Sequence, residues 1–91
     1  MKMKKLVQVT EVADEGLMAF MGRRIFIMAQ SFFYVGDLTG VNTTCVLLEN
    51  AKVVLESGDF SKKGVASAES VKGGKIYVQT SAIEAFFESH E

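Results

Sequence analysis

Between Gly22 and Ala51 the chain reads GRRIFIMAQSFFYVGDLTGVNTTCVLLENA, and this stretch restricts the possible folds more than any other. Ile25 and Ile27 alternate with Phe26 and Met28, the period of two that marks a strand. Tyr34-Val35-Gly36-Asp37-Leu38 makes a second strand, and a third starts near Thr44 with the apolar run Cys45-Val46-Leu47-Leu48. Gly36 and Gly40 mark points where a strand bends sharply or another backbone comes close. Strands longer than the mean of ~5–6 residues, broken by glycine and apolar on both faces, predict a small closed barrel.

A chain of 91 residues is one domain. Its apolar fraction is nevertheless 48%, with seven Phe and five Met, so some apolar surface is expected to remain for an interface between copies. Ten Lys and Arg against eleven Asp and Glu give a net charge of −1, which supplies no bulk field for nucleic acid. Cys45 is the single cysteine, so no intramolecular disulfide forms, and its apolar neighbours predict a buried core thiol in a reducing compartment. The run Cys45 to Leu48 is far too short to span a bilayer. MKMKKLVQV lacks the long apolar core and small-residue cleavage site of a secretory signal. The expectation is a soluble, cytoplasmic protein.

Ahead of the strands, the sequence predicts an arm or short edge strand over residues 1–10 and a helix over residues 11–22. Thr10 is the expected cap, Asp14 and Glu15 would complement the dipole, Val12, Leu17, Phe20 and Met21 recur near helical spacing, and Gly22 is the expected stop. Residues 23–56 carry the first three strands, the third continuing through Val53-Val54-Leu55 to Glu56. Residues 57–75, rich in Gly, Ser and Lys, read as a long polar loop. Lys75-Ile76-Tyr77-Val78-Gln79 returns to strand. Ala82 to Phe87 makes a fifth strand; Ile83, Phe86 and Phe87 also fit helical spacing, but the tight Thr80-Ser81 turn favours the strand.

In this order the chain resembles the Sm/LSm family over roughly residues 11–88. The first motif is matched by Ile25-Phe26-Ile27, Gly36-Asp37-Leu38, Val41-Asn42, Val46-Leu47-Leu48 and Glu49-Asn50-Ala51. The second, usually apolar-Arg-Gly-x-Asn-apolar, is matched in spacing by Val78-Gln79-Thr80-Ser81-Ala82-Ile83. Asn42 stands where the family has aspartate, and Gln79-Thr80 replaces Arg-Gly. The Lys-His pair of the bacterial RNA-chaperone branch is absent too. Divergent chains of this kind also resemble proteins of bacteriophages, including cyanophages, for which the compartment would be the host cytoplasm. The resemblance implies a mainly β fold: an N-terminal helix followed by a five-stranded, strongly bent antiparallel Sm-like (SH3-like) barrel.

It also implies a homo-oligomeric ring of five to seven subunits that binds single-stranded RNA, in the manner of a chaperone. Asn42, Thr43 and Thr44 with Gln79, Thr80 and Ser81 would line the pore face. Phe33 or Tyr34 would stack a base. Ile76, Tyr77, Val78, Ile83 and Phe86 would form the joint between subunits, because an apolar strand edge invites pairing with another chain. Two other classes stay open: a ring that holds a small nucleotide or other metabolite, and a phage structural or adaptor ring whose partner is a protein.

Catalysis finds little support in the residues. His90 is the only histidine and lies next to the last residue. Cys45 has no histidine near it in sequence. No Cys/His group has metal-ligand spacing, and neither glycine pair forms a phosphate loop with its lysine and hydroxyl. The expectation is a non-enzyme with no cofactor and no metal.

Overall fold

The computed structural model describes residues 16–56 and 67–90. Three long strands come first: β1 (Arg24–Ala29), β2 (Phe33–Val41) and β3 (Cys45–Glu56). They form successive antiparallel hairpins, with Ile27 opposite Tyr34 and Leu38 opposite Leu48. Three shorter strands follow: β4 (Ser67–Ser70), β5 (Ile76–Gln79) and β6 (Ile83–Glu88).

Period-two alternation sends β1 side chains to opposite faces, and both faces are apolar. Ile25, Ile27 and Ala29 join Leu38, Val46, Leu48, Ala51 and Val78 in the larger core. Phe26 joins Val35 and Val54 in a second cluster on the other face, flanked by Met28 and Phe33. Phe26 also stacks on Phe87 of β6, ring centres 5.1 Å apart. Each fully buried aliphatic here stabilises the fold by about 1.5–3 kcal/mol. Part of the high apolar fraction is thus used on the two faces of one sheet, while Met18, Met21, Phe32, Leu55, Tyr77 and Phe87 stay exposed.

β3 bends at Asn50, which takes a left-handed backbone with φ of 50°. The bend divides β3 between two partners: Cys45 to Leu48 pair with β5, and Lys52 to Glu56 pair with β4. Ala51, at the break, would lack ladder bonds for its peptide groups, and the chain after β4 supplies them. Its N–H donates to the Gly74 carbonyl at 2.9 Å, and its carbonyl accepts from the Val71 N–H at 3.3 Å. Opposite the bend, a Cβ on Gly36 would stand 2.9 Å from the Leu48 Cβ and 3.2 Å from the Ala51 Cα. Only glycine lets β2 and β3 approach so closely. Asp37 then fixes the corner, accepting from Asn50 Nδ2 at 2.9 Å and from Arg24 Nη1 at 3.1 Å.

Three sequence expectations about the fold are corrected. The helix over 11–22 is absent among the described residues, which contain no α-helix. Residues 11–15 lie outside them, and Gly16–Phe20 forms a 3-10 turn. Gly16 has φ of 61°, a conformation that cannot continue a right-handed helix. The described residues hold six strands, not five. β4 reads Ser-Ala-Glu-Ser and has no apolar alternation to betray it; it joins β3 by an antiparallel backbone ladder. The sheet is also open, not closed. Its path is β4-β3-β2-β1-β6, with β5 on the other half of β3, and no ladder links β5 to β6. The chain itself joins them, through a 3-10 turn at Thr80–Ala82.

Candidate functional site

That short turn is where distant segments meet. Pairing of Cys45 with Gln79 ends the β3–β5 ladder and brings the β2–β3 connection beside the turn. The Thr80 N–H donates to the Thr44 carbonyl at 2.9 Å, and Thr80 Oγ1 donates to the Thr43 carbonyl at 2.9 Å. On its far side the Ala82 carbonyl accepts from the Gln30 N–H at 3.0 Å, tying the turn to the β1–β2 hairpin.

The 42–45 connection holds its shape through one side chain. Asn42 Oδ1 accepts from the Thr44 N–H at 2.8 Å, the Cys45 N–H at 2.8 Å and Thr44 Oγ1 at 3.0 Å. This is an Asx-turn, the local bond by which asparagine stabilises a tight connection. Two backbone donors identify that atom as the oxygen, so the Thr44 hydroxyl gives its proton away. The carbonyl of Asn42 is fully occupied in shaping the loop.

A cleft of about 560 Å³ opens here, lined by Thr43, Thr44, Cys45, Tyr77, Gln79, Thr80 and Ser81. Five of the six residues assigned to the pore face by sequence therefore share one cleft, and Asn42 stands behind it as a support. Gln79 and Ser81 are exposed, and their side chains have no partner among the described residues. Tyr77 is 67% exposed and forms one wall. None of the lining residues carries a charge. The cleft can offer hydrogen bonds of both senses, a thiol and an aromatic face, and its lining holds no carboxylate, histidine, lysine or arginine.

The other assigned residues are placed as follows. Phe33 is half-buried against Phe26, centres 5.8 Å apart, and Tyr34 is half-buried against the larger core. The exposed ring of that hairpin is Phe32, at 56%. Of the five residues assigned to the subunit joint, Val78 is 5% exposed and belongs to the core, while Ile76, Ile83 and Phe86 pack against it. Phe86 also meets Phe20 edge-on at 6.0 Å. Tyr77 alone of the five stands free, as its parity opposite Val78 requires. The same parity corrects Cys45. Val46 and Leu48 point into the core, so Cys45 faces out, half-buried and on the cleft. Counting back from Leu48 along β3 would have revealed Cys45, as counting from Val78 along β5 reveals Tyr77.

Charge is collected elsewhere. Arg24 and Asp37 pair at 3.1 Å beside the β3 bend, and Arg23 reaches Glu88 at 3.4 Å on the surface. The Asn50 carboxamide, with help from the Arg24 guanidinium, holds the Asp37 carboxyl below its ordinary value against an opposing desolvation effect. Among the described residues no group of three or more His, Cys, Asp or Glu is placed to hold a metal ion. Nor is any helix there long and apolar enough to cross a membrane. No family model, curated protein or solved structure matches the chain.

Proposed function

We propose that this protein is an Sm-like chain that assembles into a ring of identical subunits and binds single-stranded RNA at the cleft beside the Thr80–Ala82 turn. The observation that carries the reading is the meeting, in one cleft, of Thr43 and Thr44 with Gln79, Thr80 and Ser81, more than thirty positions away in the chain. Amides and hydroxyls suit base edges and ribose hydroxyls, and a ring would multiply weak contacts by the subunit number.

Assembly is supported by two strand edges. Among the described residues, β5 is paired on one side only, by β3, and β6 on one side only, by β1. β5, Ile-Tyr-Val-Gln, contains none of the charged residues or proline that blunt an exposed edge, while β6, Ile-Glu-Ala-Phe-Phe-Glu, carries Glu84 and Glu88. Pairing β5 of one copy with β6 of the next is head-to-tail, and such contacts generate a closed ring where the rotation between copies closes. Family resemblance puts the number at five to seven.

Native mass spectrometry with and without a pool of short U-rich and A-rich RNAs tests both halves. The expected spectrum holds a cyclic oligomer that gains the mass of RNA. A 10 kDa species alone at micromolar concentration refutes the ring. An oligomer that takes up no RNA at low salt refutes the RNA reading. Tyr77→Asp should release monomers, because it places an unpaired charge beside the proposed joint.

A second reading, a ring that holds a small nucleotide or other metabolite, is favoured by the size of the cleft. A volume of about 560 Å³ lies within the range of small-molecule sites. A ligand released on denaturation and visible by its ultraviolet absorbance would support it.

A further inference from the structure

We propose that Thr80 is the positioning residue of the cleft: together with Asn42 it locks the wall formed by residues 79–81 to the wall formed by residues 43–45, and it leaves the ligand to its neighbours. The proposal rests on the reading of this cleft as a binding site and divides the residues there into those that hold its shape and those that meet a ligand.

Every polar group of Thr80 is engaged inside the protein. Its N–H donates to the Thr44 carbonyl at 2.9 Å, its Oγ1 donates to the Thr43 carbonyl at 2.9 Å, and its own carbonyl accepts from the Ile83 N–H. With both donors engaged, Thr80 has none to offer a ligand. It is half-buried, whereas Gln79 and Ser81 on either side are exposed, with side chains that have no partner among the described residues. The residue between them is therefore the anchor from which both project.

Thr80 can form its two bonds across the cleft only because the facing loop presents two successive carbonyls to it. In an extended chain successive residues turn their carbonyls to opposite sides. Asn42 removes that alternation. Its Oδ1 accepts from the Thr44 and Cys45 N–H groups, both at 2.8 Å, and its own N–H donates to the Cys45 carbonyl at 3.0 Å. The chain from 42 to 45 is thus folded back on itself, and the carbonyls of Thr43 and Thr44 come within reach of one residue. Asn42 acts on the cleft through Thr80, and Thr80 in turn holds the loop that Asn42 shapes. Fixing both walls before a ligand arrives removes ordering that binding would otherwise have to supply. The glycine usual at this place in the Sm/LSm motif has no hydroxyl, so the bond to Thr43 belongs to this chain's own sequence.

Amide hydrogen exchange of the full chain, read crosswise by NMR, tests the proposal. Thr80→Val keeps the bulk of the side chain and the backbone bond but removes the hydroxyl. The Thr44 and Cys45 amides, which Asn42 holds, should then exchange about fivefold faster. Asn42→Ala should speed the Thr80 amide by a similar factor, while Thr80→Ser should leave all three amides within about twofold of the wild type. Titrated with short U-rich and A-rich RNAs, Thr80→Val should bind about fivefold more weakly and Thr80→Ser as the wild type does. Gln79→Ala should weaken binding with the three amides unchanged.

Unaltered exchange at Thr44 and Cys45 in Thr80→Val, or at Thr80 in Asn42→Ala, overturns the proposal; weaker RNA binding in that case makes Thr80 a direct contact. Faster exchange with RNA binding intact overturns it too, since the lock would then not shape the site. So does a serine variant that behaves like the valine one. A wild type that binds no RNA refutes the RNA reading alone, and the crossed exchange rates then decide whether Thr80 and Asn42 hold the cleft.

Discussion

The two ends of the β3–β5 ladder are built from opposite chemistries. Beyond Leu48 and Ile76 the chain turns on charge: Arg24 and Asn50 both donate to Asp37 around a bend that a single glycine makes possible. Beyond Cys45 and Gln79 it turns on neutral groups: an asparagine caps one loop, a threonine ties it to the next, and an open cleft remains. At the first end the polar groups are used up in holding the backbone. At the second the backbone is held by a few of them, and Gln79 and Ser81 are left over. Polar groups that no folding requirement consumes are the ones available to a ligand. If this division is right, substitutions at the bend should change stability, and substitutions at the cleft should change binding.

The largest effect should come from the core under the ladder. Leu48 is fully buried there, at the bend end of its pairing with β5. Leu48→Ala should lower the unfolding free energy by about 2–5 kcal/mol, measured by denaturant melts, and should impair both ends together. A loss below 1 kcal/mol, on the order of a surface change, would mean that the core around the bend is looser than its burial implies.

Gly36→Val comes next and acts on the bend alone. A side chain there meets Leu48 and Ala51, so overpacking should cost roughly 1–3 kcal/mol. The cleft, at the other end of the ladder, should keep its ligand in whatever fraction remains folded. Loss of binding in that folded fraction would show that the two ends are coupled.

These two residues also show how far the sequence reveals the fold. Gly36 and the apolar alternation of β1 to β3 are legible because strand period and backbone approach leave marks on residue type. The open topology is not. It depends on one left-handed residue, Asn50, that hands the halves of β3 to different partners, and asparagine is common enough in ordinary turns to carry no such message. β4 is invisible for a related reason: a polar edge strand is held by backbone bonds, which any sequence can make. The apparent helix over 11–22 shows the limit of spacing, since Gly16 and its positive φ interrupt a face that Leu17 and Phe20 otherwise suggest. At the site, residue types identify the hydroxyls and the amide, and strand parity would have added Tyr77 and Cys45. The bond that ties up Asn42 needs the folded loop to be seen.

Asp37 sharpens the comparison through pH. Its folded carboxyl titrates below the ordinary value of 3.8, chiefly because Asn50 donates to it and secondarily because of Arg24. A lowered pKa means that the stabilisation is complete above the unfolded value and disappears as pH falls through the folded one. Melts of the wild type should therefore lose stability on acidification below about pH 4. Asp37→Asn should be less stable at neutral pH, by about 1 kcal/mol once solvent screening is allowed for, and should lack that part of the acid dependence. Identical acid profiles for the two proteins would remove Asp37 from the account of the bend.

The smallest expected effect separates charge that builds from charge that decorates. Arg23 and Glu88 also form an ion pair, but at 3.4 Å, with side chains 57% and 46% exposed. Water competes for both partners, and two long side chains must be ordered to hold the contact. Pairs of this sort contribute about 0–1 kcal/mol. Arg24, its neighbour in sequence, is only 20% exposed on its side chain and reaches Asp37 at 3.1 Å. Arg23→Ala should shift the unfolding free energy by no more than about 0.5 kcal/mol, and that small shift should fade in salt, whereas the Arg24–Asp37 contact should resist it. A loss at Arg23 equal to that at Asp37 would mean that the whole charged end acts as one network. Stability there would then follow the number of charges, and the bend would no longer be a local device of three side chains.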